Sequence, residues 1–109
     1  MLERVYEAFS KGDASALLRE CSDQIELGLF GATTLYSRAQ ATYVLQGFFR
    51  DYPPSRFVVE DSNRSADDVF LSGRYWYRRT EQPLDVFMRF RRRGPTHEVR
   101  EVRVERAQP

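Results

Sequence analysis

The sequence predicts an α+β domain, with N-terminal helices and one central helix packed in a curved, mainly antiparallel sheet. Three observations carry this. Apolar residues recur at helical spacing near the start of the chain. Residues 37–50 form a capped amphipathic helix stopped by two prolines, and every segment after residue 55 alternates with period two. With 109 residues and no break in composition, one domain over 1–109 is expected.

Leu2, Val5, Tyr6 and Phe9 share one face of the first helix, with Glu3, Arg4 and Glu7 on the other. Gly12 ends it, and Asp13 caps a second helix whose stripe is Ala14, Leu17, Leu18 and Cys21. In "DQIELGLFG" the period changes. Ile25, Leu27 and Leu29 alternate with Glu26 and Gly28 in a strand buried on one face, and "TTLY" returns as a short strand. Ser37 and Gln40 make a capping box, the hydroxyl accepting from the third helical N–H while the glutamine reaches back. The box uses Gln40 fully. Ala41, Val44, Leu45, Phe48 and Tyr52 follow on one stripe, and Pro53–Pro54 forbid further helix. Tyr43 falls on the polar side, where packing against a sheet does not explain it.

Four strands complete the chain as a meander: "RFVVEDS", "VFLSGRYWYRR", "LDVFMRFRRR" and "HEVREVRVERA". Polar turns at "NRSADD", "TEQP" and "GPT" separate them. Alternation points Val69, Leu71, Gly73, Tyr75 and Tyr77 toward the helices, together with Leu84, Val86, Met88 and Phe90. The outer face then holds Phe70, Arg74, Trp76 and Arg78, with Asp85, Phe87, Arg89 and Arg91 beside them. Val99 is out of phase with Val102 and Val104, which predicts a bulge near Arg100.

The stretches "AFSKGDASALL", "IELGLFG", "LYSRAQATYVLQGFF" and "PPSRF" resemble an uncharacterised bacterial family, domain of unknown function 4783. That family falls within the nuclear-transport-factor-2-like, cystatin-like superfamily. "SGRYWY" fits an expected glycine-centred strand at Gly73 and Tyr75. The resemblance implies a cone-shaped domain in which a curved sheet encloses a helix. It leaves the activity open. Enzymes of the superfamily work inside the cone with an Asp or His base and tyrosine or acid donors. Many relatives look exported, but "MLERVYEAFSKGD" is too charged for a signal peptide. A cytoplasmic location is expected for the chain as written, and an exported one if a leader has been removed.

The net charge of +1 conceals an asymmetry. Residues 1–68 hold seven basic and eleven acidic side chains, −4, whereas residues 69–109 hold ten and five, +5. Surface charge of this size bears on solubility more than on partner. A single cysteine, Cys21, excludes an internal disulfide, and with a single histidine it cannot build a transition-metal site. No metal or cofactor is expected, and no phosphate-binding glycine loop or G-x-S-x-G motif occurs.

No catalytic residue can be assigned. His97 sits at a turn before the last strand, where histidine is usually solvated. Asp85 falls outside the cone unless the strand slips by one residue, which makes it the carboxylate to watch. Asp23 and Glu26 flank the first strand and are expected to face outward. Tyr75, Tyr77, Met88 and Phe90, with Phe48 of the helix, are the candidate lining of an apolar pocket; packed core is the competing reading. Phe70, Arg74, Trp76, Phe87 and Arg89 form an aromatic and arginine face that monomers seldom leave bare.

These features predict a non-enzymatic domain that forms a homodimer through that outer face and binds a small apolar ligand or a protein. A small isomerase- or dehydratase-like enzyme using pocket tyrosines and a carboxylate is the first alternative. Single-stranded nucleic acid on the outer face is the second. No membrane contact is expected, because no apolar run approaches the length of a span.

Overall fold

The computed structural model describes residues 2–107; the Leu2 side chain, assigned above to the first stripe, lies outside the described residues. Helix α1 (Leu2–Lys11) and the single turn α2 (Ala14–Leu17) come first. Strands β1 (Cys21–Leu29) and β2 (Thr34–Ser37) precede helix α3 (Arg38–Asp51). Strands β3 (Pro54–Ser65), β4 (Asp68–Tyr77), β5 (Leu84–Arg93) and β6 (Thr96–Arg106) then form the meander. The six strands make one curved, unclosed sheet in the order β2-β1-β6-β5-β4-β3. All neighbours are antiparallel except β1 and β6, which run parallel.

Local chemistry sets the helix ends. Gly12 has φ +68°, a conformation that costs an L side chain, and the Asp13 carboxylate accepts from the Ala16 N–H to open α2. At α3 both halves of the capping box form. Ser37 Oγ accepts from the Gln40 N–H, and Gln40 Oε1 accepts from the Ser37 N–H. The α3 stripe buries Ala41, Leu45 and Phe48, with Phe49 beside it and Val44 half-buried. The second stripe differs from expectation: α2 stops at Leu17, and Cys21 instead begins β1 opposite Val99. A buried cysteine satisfies either period, so its apolar character could not separate them.

The strand faces follow the alternation. Val69, Leu71 and Tyr75 of β4 and Leu84, Val86, Met88 and Phe90 of β5 are buried against Val99, Val102 and Val104 of β6. Arg100 is the extra residue of a bulge, because Phe90 faces Val99 while Arg89 faces Glu101. The β3–β4 hairpin runs further than expected. "NRSADD" is strand as far as Ser65, and only Ala66 and Asp67 turn. This part of β3 is exposed on both faces, so its backbone ladder needs no apolar alternation to hold register. No described helix is long and apolar enough to cross a membrane.

An aromatic cluster fills the space between the helices and the sheet. Phe9 of α1 is fully buried, stacked on Phe57 of β3 at 4.6 Å and set edge-on to Phe49 of α3 at 5.8 Å. Phe48 and Phe49 reach Tyr75 at 5.5 and 6.1 Å.

Candidate functional site

The five residues expected to line a pocket have different surroundings. Tyr75 is fully buried, and its hydroxyl donates to the Tyr52 carbonyl at 2.5 Å, tying the end of α3 to β4. Tyr77 is half-buried, edge-on to Tyr52 at 5.0 Å. Phe48 stacks on Tyr52 at 5.2 Å and lies tilted against Tyr75 at 5.5 Å. Met88 and Phe90 lie in the core opposite Leu71 and Val69. The structure therefore joins Phe48, Tyr75 and Tyr77 through Tyr52, a residue assigned only to the helix stripe by its spacing.

Burial holds the Tyr75 phenol well above its ordinary range near 10. The unfolded chain ionises this phenol at lower pH than the folded one does. The stabilisation is thus complete below pH ~10 and declines as pH rises beyond it. Tyr75→Phe is expected to cost about 1–2 kcal/mol at neutral pH, from the lost bond and the orphaned Tyr52 carbonyl. It also flattens the fall in stability at high pH. Denaturant midpoints measured from pH 7 to 11 check both effects, and parallel curves for the two proteins would refute the second.

The groups watched for chemistry are not brought to this cluster. Asp85 lies on the opposite face of β5, in register with Arg74 and Glu105. His97 is half-buried in a cleft of about 560 Å³ between α1, α2 and the β5–β6 turn, whose rim also carries Arg4, Lys11 and Glu20. Asp23 and Glu26 are exposed. Among the described residues, no group of three His, Cys, Asp or Glu side chains could hold a metal ion.

The outer sheet face is the most structured surface. Phe70 is 43% exposed beside a cleft of about 280 Å³ lined also by Ser72, Phe87, Arg89 and Arg103. Trp76 and Phe87 are half-buried because arginines lie on them. The guanidinium carbons of Arg56 and Arg103 sit 5.0 Å from the two ring centroids, and each arginine is the cross-strand partner of its ring. The face is thus aromatic rings alternating with stacked guanidinium groups, not a bare patch.

Carboxylates complete it. Glu60 pairs with Arg74 at 2.6 Å. Glu26, Arg89, Glu101, Arg103 and Glu105 form a chain of alternating charges linked at 3.9, 3.5, 3.3 and 3.3 Å. Sequence reading placed Arg74 and Arg89 here but missed Arg56 and Arg103 and the acids between them. The alternation of "EVREVRVER" carried that signal once β6 was known to sit between β1 and β5.

N-terminal helices and a central helix packed on a curved, unclosed six-stranded sheet define a nuclear-transport-factor-2-like, cystatin-like fold. Within that class, the family described as "Domain of unknown function (DUF4783)" matches residues 2–105, and the chain belongs to it. A member from Bacteroides ovatus ATCC 8483 is 20% identical with a TM-score of 0.88, over 97% of this chain and 94% of that one. One from Bacteroides fragilis YCH46 is 22% identical with a TM-score of 0.87, over 95% and 96%. A domain of unknown function with a cystatin-like fold from Nostoc punctiforme is 11% identical with a TM-score of 0.73, over 99% and 74%. No curated protein matches the sequence.

Proposed function

We propose that this chain is a non-enzymatic domain that pairs with a second copy of itself through the outer face of the sheet. The observation that carries this is the interleaving of both charge signs with aromatic rings on one face. A twofold interface matches a patch to itself, so it needs a surface complementary to its own inverted copy. The chain Glu26–Arg89–Glu101–Arg103–Glu105, moved one place against its inverse, sets four of its five members opposite an unlike charge and leaves one terminal glutamate of each copy at the rim. Phe70 and its neighbouring cleft supply the apolar contact at the centre.

Surface ion pairs of this kind, exposed or half-buried as at Arg89 and Glu101, contribute little to folding, about 0–1 kcal/mol each where exposed, but they select partners by penalising like-charge contact. The same pairing argues against nucleic acid. Arg74, Arg89 and Arg103 already face carboxylates, whereas phosphate binding calls for unpaired cations. The separation of Asp85 from the tyrosines supports the non-enzymatic reading, since acid–base chemistry needs its groups within hydrogen-bond reach.

Sedimentation velocity tests the pairing. The wild type is expected to run as a dimer. Phe70→Asp and Trp76→Asp are expected to weaken association at least about tenfold, as truncation of a central contact does, with unchanged far-ultraviolet circular dichroism. A wild type that remains monomeric at high concentration and low salt would end the proposal.

A further inference from the structure

We infer that a cleft between the end of β1 and the second half of α3 binds a planar aromatic carboxylate. The cleft measures about 390 Å³, within the ~300–1,000 Å³ typical of small-molecule sites, and is lined by Phe30, Tyr43, Gly47, Phe48, Arg50 and Tyr52. Three features surround it: a strained Phe30 whose ring packs on the core edge beneath the Arg106 guanidinium at 5.0 Å, a glycine inside α3, and an exposed tyrosine.

Phe30 has φ +63°, a conformation in which a bulky L residue is a true outlier. Its N–H donates to the Val104 carbonyl at 2.8 Å, and its ring lies 5.3 Å from Tyr52 and 6.2 Å from Phe48. Strain of this kind persists where it holds a side chain at a ligand. Gly47 lies inside α3, where glycine is less favourable than alanine. The nearest atom to a Cβ built there is Arg50 Nη2 at 3.6 Å, an ordinary contact, so no neighbour excludes a side chain. The glycine instead keeps the cleft floor open. Tyr43 stands one turn earlier and is 78% exposed, on the helix side that sheet packing does not use.

The geometry states the ligand class. Phe30, Phe48 and Tyr52 form a contiguous aromatic cluster, with ring centroids 5.2 to 6.2 Å apart, and share the cleft lining with Tyr43 and Gly47. A flat ring system suits such an aromatic lining by offset stacking. The Arg50 guanidinium leans over Gly47, and its ion pair with Asp51 is loose, at 3.8 Å with both side chains exposed. A carboxylate on the ring is its natural partner. The site does not depend on the pairing through the outer sheet face.

The test is a ¹⁵N–¹H correlation titration of the whole chain with 2-naphthoate and with the neutral 2-naphthalenemethanol. Naphthoate is expected to give saturable shifts centred on the amides of Phe30, Tyr43, Gly47 and Tyr52. Gly47→Leu fills the floor with a good helix former and is expected to weaken binding by at least about tenfold, the order of an unfavourable methylene in an apolar pocket. Arg50→Gln is expected to weaken naphthoate about fivefold and leave the alcohol unchanged. Shifts that never saturate, shifts centred elsewhere, or unaltered affinity in Gly47→Leu would overturn the site. Equal binding of acid and alcohol to the wild type would overturn the carboxylate assignment.

Discussion

Phe9→Ala is expected to destabilise the domain by about 3–5 kcal/mol, the range for deleting a fully buried phenylalanine. Domains of this size hold a net stability of only about 5–15 kcal/mol, so a large share disappears with one ring. The size of the effect comes from what Phe9 joins. Its ring touches Phe57 of β3, Phe49 of α3 and Tyr75 of β4, so it connects the N-terminal helix with the edge of the sheet and with the central helix. Neighbouring aromatics cannot collapse into the space without losing their own stacked and edge-on geometry. Urea denaturation measures the loss as a lower midpoint at constant slope. A loss below about 1.5 kcal/mol would mean that α1 is peripheral to the core.

The second large effect is expected at Gly73. A Cβ at this position would stand 2.7 Å from the Val58 carbonyl oxygen and 3.0 Å from Cζ of Phe57. The first of these is backbone, so relief requires β3 and β4 to move apart. Gly73→Ala is therefore expected to cost about 2–3 kcal/mol, at the upper end for overpacking, although alanine suits a strand no worse than glycine. The amide signals of Val58 and Gly73 should shift together, reporting the same separation. An alanine variant as stable as the wild type would show that the ring of Phe57 does not lie on the strand here. The glycine lets that ring close over β4, and two residues later Tyr75 carries its hydroxyl to Tyr52.

How much of this was legible in the sequence varies by element. The α3 boundaries were readable because a capping box and a pair of prolines act within a few residues of where they stand. The faces of β4 and β5 and the Arg100 bulge were readable because alternation carries phase along a strand. The end of β3 was not. Its last residues are polar because both faces meet solvent, and polarity alone cannot separate an exposed strand from a turn. The outer aromatics were placed on the correct side, but the arginines covering Trp76 and Phe87 come from neighbouring strands whose register no local pattern encodes. The aromatic cleft was hidden more deeply. Neither Phe30, next to an alternating strand, nor Gly47, within a helix, belongs to a motif that spacing sets apart.

By itself the sequence determined the α+β class, the capped central helix, the meander and the division of its residues between two faces. Each of these rests on interactions within a turn of helix or along one strand. Tertiary structure alone decided that β1 runs parallel to β6, which sets Glu26 beside Glu101 and extends the charged chain across the sheet. It also decided that the Tyr75 phenol ends on a carbonyl 23 residues away, and that Phe30 turns its ring toward α3. These contacts join segments that share no periodicity, so they exist only once the whole core has packed and chosen which groups become neighbours.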